Sequence, residues 1–122
     1  MSENKPDFTK PVDVMQFIYN TFHPCGCSDR VSVLQEVRGF LFWLKEDSKD
    51  RVRYDSLFRG FVGIFYIMAG ICERAHLCGH GGGIRNAWIE PLGRELLHAL
   101  ETIPLETIAE AEGEAYDGIY VQ

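Results

Sequence analysis

The sequence SLFRGFVGIFYIMAGICERAHLCGH, residues 56–80, determines the fold that we predict for this chain of 122 residues. It carries no charge between Arg59 and Glu73, and its apolar residues leave no polar face. A segment that is apolar all round is typical of a protein interior. Buried strands run about 4–8 residues and this segment is longer, so we predict a helix despite its β-branched residues and glycines.

Further helices are predicted on both sides of this segment, because apolar residues recur there at helical spacing. Pro11 and Pro91 suit the first turns of the first and fourth helices, and Ser28 suits the N-cap of the second. Besides the C-terminal tail, only residues 51–54 alternate in the manner of a short strand. The predicted flanking helices cover residues 11–23, 28–45, 91–103 and 105–116.

These elements predict an all-α fold, a single-domain antiparallel helical bundle of four to five helices around a fully apolar central helix. At this length, residues 1–122 are expected to form one domain with its own core. We expect residues 1–9 to be a disordered lead-in, residues 104–122 to be an acidic C-terminal element, and the last residues to form a short extended tail.

The N-terminus is polar and lacks the apolar region of a secretory signal. The central apolar run is shorter than the ~20 residues that a membrane-spanning helix needs. We therefore expect a soluble, cytoplasmic protein without a membrane partner. In that compartment the four cysteines are expected to be thiols or metal ligands and not disulfides.

The net charge of −6 comes entirely from residues 101–122, which contain six acidic residues and no Lys or Arg. Residues 1–100 therefore sum to zero. This distribution disfavours non-specific binding to nucleic acid phosphates. It is compatible with a protein partner that has a basic surface, although a purely solubilising C-terminus is the alternative. The sequence does not indicate an oligomeric state.

All four cysteines and three of the four histidines lie in two short stretches, residues 23–27 and 72–80. Thiolates and imidazoles are preferred zinc ligands, and a closed structural site takes four. A hairpin of the second and third helices, turning near residue 49, would bring the two stretches to one end of the bundle. We predict the zinc ligands to be Cys25, Cys27, His76 and Cys78, with His80 next, then Cys72 and His23.

Within the second stretch, Cys72 and His76 are four residues apart and are expected to share a helix face. The spacing of the whole set is not a standard zinc signature. Three other interpretations stay open: thiols without a metal, disulfides, and a redox pair formed by Cys25 and Cys27. In the first of these, Cys72 is a core residue, because a free cysteine packs as a small hydrophobe.

No catalytic set is apparent in the sequence. The HGGG run at residues 80–83 resembles an esterase oxyanion loop, but no G-x-S-x-G supplies the nucleophile. We therefore expect a non-enzymatic small soluble protein that regulates or inhibits a protein partner and is stabilised by a structural zinc ion. The alternative is a metal- or thiol-dependent enzyme or redox sensor that uses the Cys/His cluster.

Overall fold

A computed structural model describes residues 6–23, 29–45, 62–79 and 87–111, and most of these residues are helical. Two short strands, β1 (Cys78–Gly79) and β2 (Trp88–Ile89), pair in antiparallel fashion, with Cys78 opposite Ile89. The prediction of a mainly helical chain is confirmed. The helices are α1 (Pro11–Phe22), α2 (Arg30–Lys45), α3 (Val62–Arg74), α4 (Pro91–Thr102) and α5 (residues 105–111).

The helix termini follow local rules that the sequence contains. Pro11 and Pro91 each open their helix, as predicted. Helix α2 is capped by Asp29, whose Oδ2 accepts the Ser32 N–H at 3.1 Å and the Ser32 hydroxyl at 2.8 Å. The predicted N-cap, Ser28, lies outside the described residues, and the carboxylate of the next residue takes that role.

One hydrophobic cluster includes buried residues from every described helix and from both strands. Helix α2 packs mainly against α4 and also contacts β2, whereas α3 contacts α1 and β1. The hairpin of the second and third helices that we assumed is therefore not the main packing arrangement of the described residues. The largest fully buried side chains are Trp43, Phe40, Met15, Ile18, Leu34, Leu41, Leu44, Leu77, Leu96, Leu97 and Leu100.

Helix α3 is less buried than its composition predicted. The Ile67 side chain is 64% exposed, and Met68 and Ile71 are half-buried. The side chains of residues 61–66 lie outside the described part of the structure. We expected residues 61–71 to be the most buried segment of the chain, and the exposure of Ile67 departs from that expectation, because α3 packs against α1 and β1 and leaves Ile67 toward solvent. No helix within the described ranges is long and apolar enough to cross a membrane.

The small sheet was not predicted. Residues 51–54, expected to be extended, lie outside the described residues, while the observed strands are two residues each. Helix α4 approaches β1 closely at Gly93, where an added Cβ would collide with the Leu77 carbonyl oxygen. The same oxygen accepts the Glu90 N–H at 2.9 Å, so the start of α4 is attached to the segment that follows α3.

Candidate functional site

Helix α3 ends in a turn in which residues after the helix donate hydrogen bonds back to its last carbonyl groups. The Leu77 N–H donates to the Cys72 carbonyl at 2.8 Å, and the His76 N–H donates to the Glu73 carbonyl at 3.1 Å. These two bonds define a Schellman motif, whose turning residue adopts the left-handed conformation. Here that residue is His76, with φ of 65°, at a position where glycine is usual.

The turn brings the thiols of Cys72 and Cys78 together. Cys72 is fully buried and Cys78 is 3% exposed, and neither forms a disulfide. The Cys78 thiol lies 3.9 Å from the Ala69 carbonyl oxygen on the last turns of α3. Cys72 hydrogen-bonds to Cys78, so the pair forms a short donor chain that ends on the helix backbone.

The two thiols differ in acidity because one donates to the other. The hydrogen bond to Cys78, reinforced by burial, raises the pKa of Cys72. The same bond lowers the pKa of Cys78, while burial and the charges of Glu73 and Glu90 oppose that shift. Cys78 is therefore the first of the pair to ionise. It would act as the nucleophile in any thiol chemistry, with Cys72 placed to attack it afterwards.

Two of the five predicted metal ligands, His76 and Cys78, lie within the described residues. Cys25, Cys27 and His80 lie outside them. His76 is exposed while Cys78 is buried, and no group of three or more Cys, His, Asp or Glu side chains that could hold a metal occurs in the described ranges.

Cys72, which we ranked behind His76, is the described partner of Cys78. The prediction that Cys72 and His76 share a helix face is wrong, because α3 ends at Arg74 and His76 adopts a left-handed conformation. The sequence gives little indication of the turn at His76, since a Schellman motif is normally recognised by its glycine.

A second exposed feature lies across β1. The Trp88 side chain is 48% exposed, and its Nε1–H donates to Glu90 Oε2 at 2.8 Å. Gly79 is opposite Trp88 in the sheet, and a Cβ at residue 79 would lie only 3.0 Å from the indole. The ring therefore covers the backbone of Gly79 while much of its area faces solvent.

No protein-family model, curated protein or solved structure matches this chain. Its function is therefore inferred from its own residues, above all from the thiol pair, the exposed part of α3 and Trp88.

Proposed function

We propose that this chain is a non-enzymatic helical bundle that regulates or inhibits a protein partner, which it binds through α3. The observation that carries the proposal is Ile67, 64% exposed in a helix that has no charged residue before Glu73. Single exposed apolar residues are ordinary on protein surfaces. Ile67 differs because α3 has no charged residue before Glu73, and half-buried Ile71, four residues along the same helix face, adds further apolar surface beside it.

The acidic C-terminal residues favour a partner with a basic surface. Within α4 and α5, Glu101, Glu106 and Glu110 are exposed, and residues 101–122 hold the whole net charge of −6. Complementary charges accelerate encounter and orient a partner, while apolar contact supplies affinity. In this proposal α3 provides the contact area and the acidic residues select a basic surface.

The experiment is site-specific cross-linking with a photoreactive phenylalanine analogue at position 67. The matched control places the same analogue at Gln35, an exposed polar residue of α2. We expect position 67 alone to give a discrete adduct with a protein that mass spectrometry identifies. An adduct with a second copy of the chain would instead make α3 a self-association surface. Equal labelling from both positions, or none from position 67, would contradict the proposal.

We also propose that a structural zinc ion stabilises this protein, with ligands from Cys25, Cys27, His76, Cys78 and His80. The donor chemistry of Cys78 supports the proposal, because the hydrogen bond from Cys72 lowers the pKa of Cys78 and so favours its thiolate. Zinc binds thiolates and neutral imidazoles, so its affinity falls as pH drops and these groups protonate.

Elemental analysis of protein purified without chelators tests the zinc proposal. We expect stoichiometric zinc that is lost in both Cys25→Ser and Cys78→Ser, with little further loss in the double variant, because ligands of one ion act as a unit. His98→Ala, on the exposed side of α4, serves as the control and should retain zinc. Protein purified in this way without stoichiometric zinc would contradict the proposal.

The Cys72–Cys78 contact favours one second candidate, a thiol switch that responds to peroxide. The Cys78 thiolate would attack a peroxide oxygen, which breaks the O–O bond, leaves a sulfenic acid and releases hydroxide. The Cys72 sulfur would then attack that sulfenic sulfur, forming the S–S bond and releasing water. Peptide mapping after peroxide treatment should find a Cys72–Cys78 disulfide that a dithiol reduces, and it should persist in a Cys25→Ser/Cys27→Ser variant.

A further inference from the structure

The Trp88 indole is held in one orientation by its neighbours. Residues 88 and 90 are two apart on an extended segment, so their side chains lie on the same side, and the Nε1–H bond to Glu90 is 2.8 Å long. Gly79 lies opposite, and an added Cβ there would be 3.0 to 3.1 Å from the indole atoms Cζ2, Cε2 and Nε1. The Nε1–Cζ2 edge of the indole is thereby fixed against the backbone.

The surroundings of this indole are negatively charged. The face of an indole ring carries negative charge density that attracts cations. The Glu90 carboxylate lies at the ring edge and is half-buried, and both Glu90 and Glu73 act on the Cys78 thiol in the adjoining strand. The cation one helical turn beyond Glu90 is Arg94, which lines a different groove, beside residues 6–9.

We propose that the exposed face of Trp88, together with the Glu90 carboxylate, binds an arginine side chain of the protein partner. A planar guanidinium can stack on the ring and donate to the carboxylate at the same time, which a lysine ammonium cannot do equally well. This inference rests on the proposed function and specifies its partner chemistry. Trp88 also covers Gly79, but this contact involves one edge of the ring and leaves the side chain 48% exposed beside the Glu90 carboxylate.

The test uses peptides and needs no identified partner. Acetylated, amidated tetra-arginine and tetra-lysine are titrated into the full chain at low salt, with binding followed by calorimetry. Glu90→Gln removes the charge but keeps an acceptor for the indole N–H. Glu101→Gln, an exposed position of α4, removes the same charge elsewhere and is the matched control. Trp88→Leu removes the ring.

We expect the wild-type chain to bind tetra-arginine more tightly than tetra-lysine. Trp88→Leu and Glu90→Gln should each weaken arginine binding by about two- to fivefold, the range for an exposed cation–π contact. Glu101→Gln should change it by less. If Trp88→Leu fails to fold by circular dichroism, Trp88→Phe replaces it, and an intermediate affinity is expected.

Two results would overturn the inference. One is equal losses in Glu90→Gln and Glu101→Gln without a preference for arginine, which would show only attraction to the net acidic charge. The other is no binding by the wild-type chain. Neither result bears on cross-linking from position 67, so the arginine site and the α3 interface can fail separately.

Discussion

His76 occupies a position where its side chain carries an energetic cost. A residue with a Cβ in the left-handed region costs roughly 1–2 kcal/mol, of which glycine recovers part. We predict that His76→Gly raises the free energy of unfolding of the metal-free protein by about 0.5–1 kcal/mol, measured by urea denaturation. His98→Gly makes the same change inside α4 and should instead lower it by roughly 0.5 kcal/mol.

The His76→Gly variant also distinguishes backbone strain at His76 from zinc binding by its side chain. If His76 binds zinc, the zinc-loaded variant should be less stable than the zinc-loaded wild type, although the metal-free order is the reverse. A destabilising effect of His76→Gly in metal-free protein would contradict the strain argument.

The thiol pair makes stability depend on alkaline pH. In the folded state the hydrogen bond to Cys78, reinforced by burial, raises the pKa of Cys72. A group whose pKa is raised by folding contributes its full stabilisation at any pH below its pKa in the unfolded chain, about 8.5 for cysteine. That stabilisation is lost as the pH rises above this value toward the pKa of the folded state. We predict that stability falls between about pH 8 and pH 10.

The lowered pKa of Cys78 opposes this trend. Cys72→Ala, which removes the group whose pKa is raised, should show a shallower decline in the free energy of unfolding over the same range. Identical pH profiles for the two proteins would mean that the thiol contact does not form in solution.

At the scale of an element, the N-terminus of α2 depends on one side chain. Asp29 accepts both the backbone N–H and the hydroxyl of Ser32, which satisfies one otherwise unpaired donor of the first turn. Asp29→Ala should lower the free energy of unfolding by about 1 kcal/mol. Asp29→Asn keeps the acceptor and should cost less; equal losses in both variants would exclude the cap as the cause.

The helices could be predicted from sequence where local chemistry specifies them. Pro11 and Pro91 open α1 and α4, and apolar spacing gives the buried faces of both. The strands could not be predicted, because two residues each have no periodicity to detect. The thiol contact could not be predicted either, since it depends on a left-handed turn at His76 that carries no glycine signal.

At the scale of the whole molecule, a shared core predicts cooperative unfolding. Buried residues of every described helix and both strands belong to one cluster. In Trp88→Leu, indole fluorescence reports Trp43 alone, a core residue that is 1% exposed. Its unfolding midpoint in urea should coincide with that of far-UV circular dichroism. Two separated midpoints would indicate independent units.

The close approach of α4 to β1 has a consequence for how this sequence can diverge. At position 93 any side chain meets the Leu77 carbonyl oxygen, whereas a Cβ at Gly39 meets nothing within 4 Å. In a library of all single substitutions selected for folded protein, position 39 should accept alanine with a gain of about 1 kcal/mol. Position 93 should return glycine alone. Sequences that diverge from this chain and keep its fold can therefore replace Gly39, whereas they must retain Gly93.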